Sequence, residues 1–180
     1  MKVRSAVVGR GKVLGVRVKL AAAAGVLVLS ACTSAPPPPP PPPPVPDPCL
    51  KVTTGIVDAA LGFRQMGLYV TNCGTKVAEL NGYPAVKFFD KQGNLLDLTV
   101  GRGATDDPGA KPLSIKPAEQ VVAHLSWRNT VTDIDRVPYS ATALEIAPVE
   151  SMPGQKVDPG TTLDLGNTSR VDVTAWMPKK

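Results

Sequence analysis

Nine consecutive prolines, Pro36 to Pro44, followed by Val45-Pro46-Asp47-Pro48, constrain this chain more than any other stretch. Each proline fixes its own φ, removes a backbone donor and pushes the residue before it towards extended conformations. The run is therefore expected to be a polyproline II rod, which neither a sheet nor a helix can incorporate. At about 3.1 Å per residue, Pro36 to Pro48 would span roughly 40 Å. A spacer is the expected role. A proline-rich ligand for an aromatic-lined groove would carry flanking specificity residues, and the only charge nearby is Asp47. A folded core must begin after the rod, and whatever precedes it needs a separate explanation.

That explanation lies in the first 32 residues. Lys2, Arg4, Arg10, Lys12, Arg17 and Lys19 make a charged start without an acidic residue, and Leu20 to Leu29 form an apolar stretch. Ten residues are too few for a bilayer, which takes about 20. A charged start, a short apolar run and small residues before a cysteine are the plan of a secretory signal peptide. Leu29-Ser30-Ala31-Cys32 resembles the lipobox of bacterial lipoproteins, with a leucine three residues before the cysteine and small residues between. On that reading residues 1–31 are a cleaved signal peptide and Cys32 is the mature N-terminus. Its thiol carries a diacylglyceryl group, with acyl chains such as palmitate. Small neighbours let the peptidase reach the bond after Ala31. Two acyl chains give stable anchoring where one would not, so the expected location is the extracytoplasmic face of the cell membrane. The competing reading, an uncleaved signal anchor, requires an apolar stretch that Arg17 and Lys19 interrupt.

Charge must be counted with that division in mind. The whole chain has 20 Lys plus Arg against 15 Asp plus Glu, a net charge of +5. Six of the basic residues precede Cys32, which leaves 14 against 15 and a net charge of −1 in the mature part. The basic balance belongs to the targeting segment, and a nucleic-acid partner is not expected.

From Cys49 to Lys180 there are 132 residues, enough for one domain with one core. Eight aromatics, Phe63, Tyr69, Tyr83, Phe88, Phe89, Trp127, Tyr139 and Trp176, are expected to anchor it. The pattern is alternation, not helical periodicity. Leu68 and Val70 share one face of Gly67–Asn72. Val86 and Phe88 share one face of Pro84–Asp90, and Lys91-Gln92-Gly93-Asn94 reads as the turn of a hairpin into Leu95–Val100. In Glu119–Arg128, Val121, Ala123, Leu125 and Trp127 face one way, with Val122, His124, Ser126 and Arg128 opposite. Ala143–Ala147 and Ser169–Trp176 repeat the pattern. About eight or nine short strands suit a two-sheet β-sandwich. The longest irregular stretches, Gly101–Lys111 and Asn129–Tyr139, are where a binding surface is expected.

Leu68-Tyr69-Val70-Thr71-Asn72, then Leu80-Asn81-Gly82-Tyr83-Pro84-Ala85-Val86, then Leu113-Ser114-Ile115-Lys116-Pro117 leading into the strand that ends at Trp127, resemble domain of unknown function 4232. That family is common in secreted proteins and lipoproteins of actinobacteria. Its pattern is a strand ending in Asn, a Gly-Tyr-Pro turn and a Pro-containing turn before a long strand with a Trp. The likeness runs from Cys49 to Met177. It implies an immunoglobulin-like two-sheet β-sandwich over residues 49–178 and implies no activity. The chain departs from the family at its cysteines. Many members have a cysteine at the position of Ala78, whereas this chain has Cys73, so a family disulfide does not transfer.

Read from the residues alone, Cys49 and Cys73 are an even pair in an oxidising compartment once Cys32 carries lipid. Bridged, they would close a loop of about 25 residues and contribute roughly 3 kcal/mol. Two free thiols, or a bridge to another chain, are the alternatives. His124 is the only histidine, which excludes a two-histidine zinc or blue-copper site. On the polar face of its strand it reads as solvated, and no nucleophile elbow accompanies it. Met66, Met152 and Met177 are the residues copper handling would use, and they read as packing. Asp106-Asp107 and Asp133-Ile134-Asp135 lack calcium-loop spacing and read as solvated loop charges. Gly101-Arg102-Gly103 lacks the rest of a phosphate loop. Asn167-Thr168-Ser169 fits a glycosylation sequon that means little in a bacterium.

These residues lead to a lipid-anchored, non-enzymatic binding or interaction module of the cell envelope. It would meet the membrane through Cys32 and bind an envelope protein or polymer, with no cofactor. A cell-envelope enzyme acting on wall polymer or lipid is the alternative, and a metal-handling protein a more distant one.

Overall fold

The computed structural model describes residues 38–40, 47–102 and 104–179. The segments expected to be a signal peptide and a lipobox with Cys32, and most of the proline run, lie outside the described residues. Among the described residues there are thirteen strands and no helix. In chain order they are β1 (Leu50–Ala60), β2 (Phe63–Asn72), β3 (Ala78–Leu80), β4 (Ala85–Phe89), β5 (Thr99–Arg102), β6 (Leu113–Ile115), β7 (Gln120–Arg128), β8 (Tyr139–Ala141), β9 (Ala143–Ala147), β10 (Gln155–Val157), β11 (Leu163–Gly166), β12 (Arg170–Val173) and β13 (Met177–Pro178).

The largest sheet has the order β1-β2-β7-β12-β5, with β13 also paired to β7. All its pairings are antiparallel except β12 with β5. Three smaller sheets are β10-β9-β4, β11-β8 and β3-β6. One hydrophobic cluster joins them. Met66, Leu68, Val70, Ala123, Leu125 and Val171 of the large sheet meet Val86, Phe88, Leu144, Ile146, Leu163 and Leu165 of the smaller ones. Every one of these positions follows the two-residue alternation of a pleated strand.

Four expectations need correction. The strands exceed eight or nine because several are only two to four residues long, too short for alternation to register. The hairpin from β4 into 95–100 stops after one bridge, Phe89 to Leu95. Asp90 does close the turn by accepting bonds from Gln92 N and Asn94 N. Leu98 N then donates to Leu96 O across two residues, a tight γ-type bend. The bend carries the chain over to β12, where β5 pairs in parallel. Of the eight aromatics, only Phe88, Trp127 and Trp176 are buried. On β7, finally, the face opposite the core is not simply solvated. Val122 is flanked by Tyr69 and Met177 in register, and Ser126 by Gln65 and Asp172, and both are buried.

Two asparagines tie the loops to the sheets. Asn72, fully buried, donates to Lys76 O (2.7 Å) and Ile115 O (2.8 Å) and accepts from Gly74 N (2.9 Å). The next residue, Cys73, is disulfide-bonded to Cys49, so the start of β1 is fastened to the end of β2. Asp47, at the end of the proline-rich segment, accepts a bond from Thr75 and pairs with Lys76.

Candidate functional site

A hollow lies over the face of the large sheet that points away from the core. It is a solvent-open cleft of about 760 Å³. Its floor follows from strand register. Gln65 on β2 pairs with Ser126 on β7, Ser126 with Asp172 on β12, and Asp172 with Gly101 on β5. These residues form one row across four strands, because directly opposed residues project from the same face of a sheet. The row ends at Gly101 for a steric reason. A Cβ there would collide with the Asp172 carboxylate and lie 2.7 Å from Arg170 Nη2. The absent side chain makes room for a fork-shaped ion pair in which Arg170 donates to both carboxylate oxygens of Asp172, at 2.7 and 3.2 Å. That pairing raises the Arg170 pKa further above its ordinary value and presents a planar array of donors and acceptors to the cleft.

One wall is the segment Ala104–Asp106, which runs on into Asp107. It is held at two points. Asp107 Oδ1 accepts from Ala175 N (2.9 Å) and Gly109 N (3.1 Å), while Oδ2 accepts from the Tyr83 hydroxyl (2.8 Å). The carboxylate bond raises the Tyr83 phenol above its usual pKa, and the Arg102 guanidinium lies 5.1 Å from the centre of the same ring. At the second point, His124 Nδ1 is 2.7 Å from Asp106 Oδ2. The histidine's strand is itself locked, since Thr174 accepts from His124 N and donates its own N–H to His124 O. The other end of the cleft carries Phe63, 38 % exposed, with the Arg128 guanidinium 6.0 Å from its ring centre.

This arrangement can bind and orient a polar ligand. It offers hydroxyls, an amide, carboxylates and guanidinium groups beside one aromatic ring, on a floor made of strands. Nucleophilic catalysis has weaker support. Ser126 and His124 share a face of β7, but the Ser126 hydroxyl is directed to the Asp172 carbonyl, at 3.5 Å, and not to the His124 ring.

The residues singled out from sequence fare differently. Cys49 and Cys73 form a disulfide, with Cα atoms 5.0 Å apart. His124 is not a freely solvated histidine but half of a pair with Asp106. Asp107 is likewise a structural pin and not a solvated loop charge. Asp133 accepts from Asp135 N within its own turn. Met66 is buried in the core and Met152 packs against it. Gly101 and Arg102 end β5, and Gly103 lies outside the described residues. Among the described residues, no group of three or more His, Cys, Asp or Glu side chains is placed to hold a metal ion. Asn167 of the sequon is buried. Its amide donates to Asp133 O (2.6 Å) and Arg136 O (3.0 Å) and accepts from Thr132 N (2.9 Å), which shapes the 129–138 loop. The row Gln65-Ser126-Asp172 and the Arg170 fork were not foreseen. Their spacing in sequence carries no signal, since only strand register brings them together.

Comparison with curated proteins returns no match. A family model described as a domain of unknown function, DUF4232, matches residues 46–177. The match covers the disulfide, the Gly-Tyr-Pro turn, every strand from β1 to β12 and all of the cleft described above. The chain therefore belongs to the DUF4232 family.

Proposed function

We propose that this protein is a lipid-anchored binding module of the bacterial cell envelope, held at the extracytoplasmic face of the membrane by Cys32. On this reading it is a non-enzymatic, immunoglobulin-like two-sheet sandwich carried on a polyproline spacer, and the cleft is its ligand site. The single observation that carries the binding role is the Gln65-Ser126-Asp172 row. Its polar groups converge on an open cleft, on strands that need no rearrangement to receive a ligand. The anchor rests on the lipobox-like Leu29-Ser30-Ala31-Cys32 and the short apolar run before it.

Membrane fractionation tests the anchor. Cys32→Ala should release the protein or leave it unprocessed, and a mutant still processed and membrane-bound refutes the lipidation. A photo-crosslinking amino acid at position 65, used in intact cells, tests the cleft. An adduct formed from position 65 but not from exposed Lys87, on β4 in another sheet, is the expected result. The second reading, a hydrolase of wall polymer or lipid, is favoured by the His124–Asp106 bond close to Ser126. Labelling of Ser126 by a fluorophosphonate would establish it in place of the binding role.

A further inference from the structure

We propose that the cleft takes an uncharged oligosaccharide, a run of about two sugar residues laid across β2, β7 and β12; this rests on the binding-module reading above.

Charge supports this choice. The cleft holds two arginines and two aspartates, so its formal charges cancel, and the charges are already engaged with one another or with neighbours. Arg170 is locked on Asp172 through two bonds, Asp106 is bonded to His124, and Arg128 lies near the face of Phe63. An anionic polymer would have to displace Asp172 from Arg170 or rely on Arg128 alone, and a cationic one would have to displace Arg170 from Asp172 or His124 from Asp106. A sugar hydroxyl needs neither, because it donates to a carboxylate and accepts from a guanidinium or amide in the same pose.

The hydrogen-bonding capacity of the floor points the same way. Ser126 is only 5 % exposed, yet its hydroxyl makes no better bond than the 3.5 Å contact with Asp172 O. That is the outer limit of hydrogen bonding, so a buried group on the floor retains capacity. Gln65 and Asp172 flank it on the neighbouring strands. At about 4.8 Å between strands the row spans roughly 10 Å, close to the length of a disaccharide. Phe63 supplies an apolar surface for the C–H face of a pyranose at one end. A peptide is a poorer fit, since it is recognised through apolar sockets or a strand edge, and this floor is polar and lies on a sheet face. The cleft is open to solvent, so a longer chain can extend beyond it.

The test uses the full-length mature protein in detergent on an array of neutral oligosaccharides, including chito-, cello- and xylo-pentaose. Oligogalacturonate and inorganic polyphosphate are the charged comparators, and calorimetry follows any hit. At least one neutral oligosaccharide should bind with a Kd below about 1 mM. Phe63→Ala, Gln65→Ala and Asp172→Asn should each weaken it about tenfold, with melting temperatures near that of the parent. Gly101→Ala should weaken binding without removing a polar group, because its methyl pushes against the Arg170–Asp172 pair. Lys87→Ala should leave binding unchanged. Binding confined to the charged probes, or indifferent to the cleft substitutions, overturns the inference. If the array is empty and the position-65 crosslinker captures a protein, the sugar inference fails while the binding-module reading survives. If neither finds a ligand, both fail.

Discussion

Removing the Asn72 side chain strikes a point where three segments meet. The carboxamide is fully buried and makes three hydrogen bonds, to Lys76 O, Ile115 O and Gly74 N. In Asn72→Ala both carbonyls and the N–H lose a partner that water cannot replace without opening the site. At about 0.5–1.5 kcal/mol for each bond, the loss comes to about 3 kcal/mol. In a domain of this size that lowers the melting temperature by about 10 °C. Asn72→Asp separates hydrogen bonding from packing, because it is nearly isosteric. Its carboxylate would face two carbonyl oxygens that now lie 2.7 and 2.8 Å from the amide nitrogen, so at neutral pH it should destabilise more than alanine does. Burial beside carbonyls raises the folded-state pKa of such an aspartate above its unfolded value. The penalty is therefore smallest below the unfolded pKa and grows as pH rises towards the folded one. Urea denaturation of the three proteins at pH 7 and near pH 4 provides the assay. The reasoning is refuted if Asn72→Ala falls within about 0.5 kcal/mol of the parent, or if the aspartate and alanine variants stay equally stable at both pH values.

The Cys49–Cys73 bridge, with a sequence separation of 24, should contribute about 3.5 kcal/mol by restricting the unfolded chain. The double alanine variant should melt roughly 10 °C lower, and an equal melting temperature in the presence and absence of reductant would contradict this. Asn167→Ala should release the 129–138 loop by removing its bonds to Thr132, Asp133 and Arg136. Faster amide exchange and new proteolytic cuts confined to that loop are expected, with a global loss of about 1–3 kcal/mol. At the 90–94 turn, bonds donated by the Asn94 side chain and backbone hold the Asp90 carboxyl below its usual pKa. The turn's contribution is then present above the unfolded pKa and lost as pH falls through the folded one. A carboxyl titration of Asp90 by NMR should show a midpoint below the ordinary aspartate value.

Legibility from sequence depended on whether the deciding interaction was local. Alternation on β7 placed Val121, Ala123, Leu125 and Trp127 in the core because side-chain direction in a strand has a period of two. The Gly-Tyr-Pro turn could be read for a similar reason: Gly82 adopts φ +124, which disfavours a side chain. The failures were non-local. Leu95–Val100 alternates well enough to pass for a hairpin partner of β4, yet the bend after Leu96 sends β5 to β12. His124 looked solvated because nothing nearby in sequence shows that Asp106 will fold over it.

By itself the sequence determined the all-β class, the core faces of the long strands and the family. Each of these is set by chemistry within a few residues or by the order of short motifs. The tertiary structure alone decided the cleft. Gln65, Ser126, Asp172 and Gly101 are unrelated along the chain, and the register of four strands makes them one row. Arg170 joins that row only because Gly101 leaves room beneath the fork. A site assembled by hydrogen-bond register between distant segments leaves no spacing in the sequence to read.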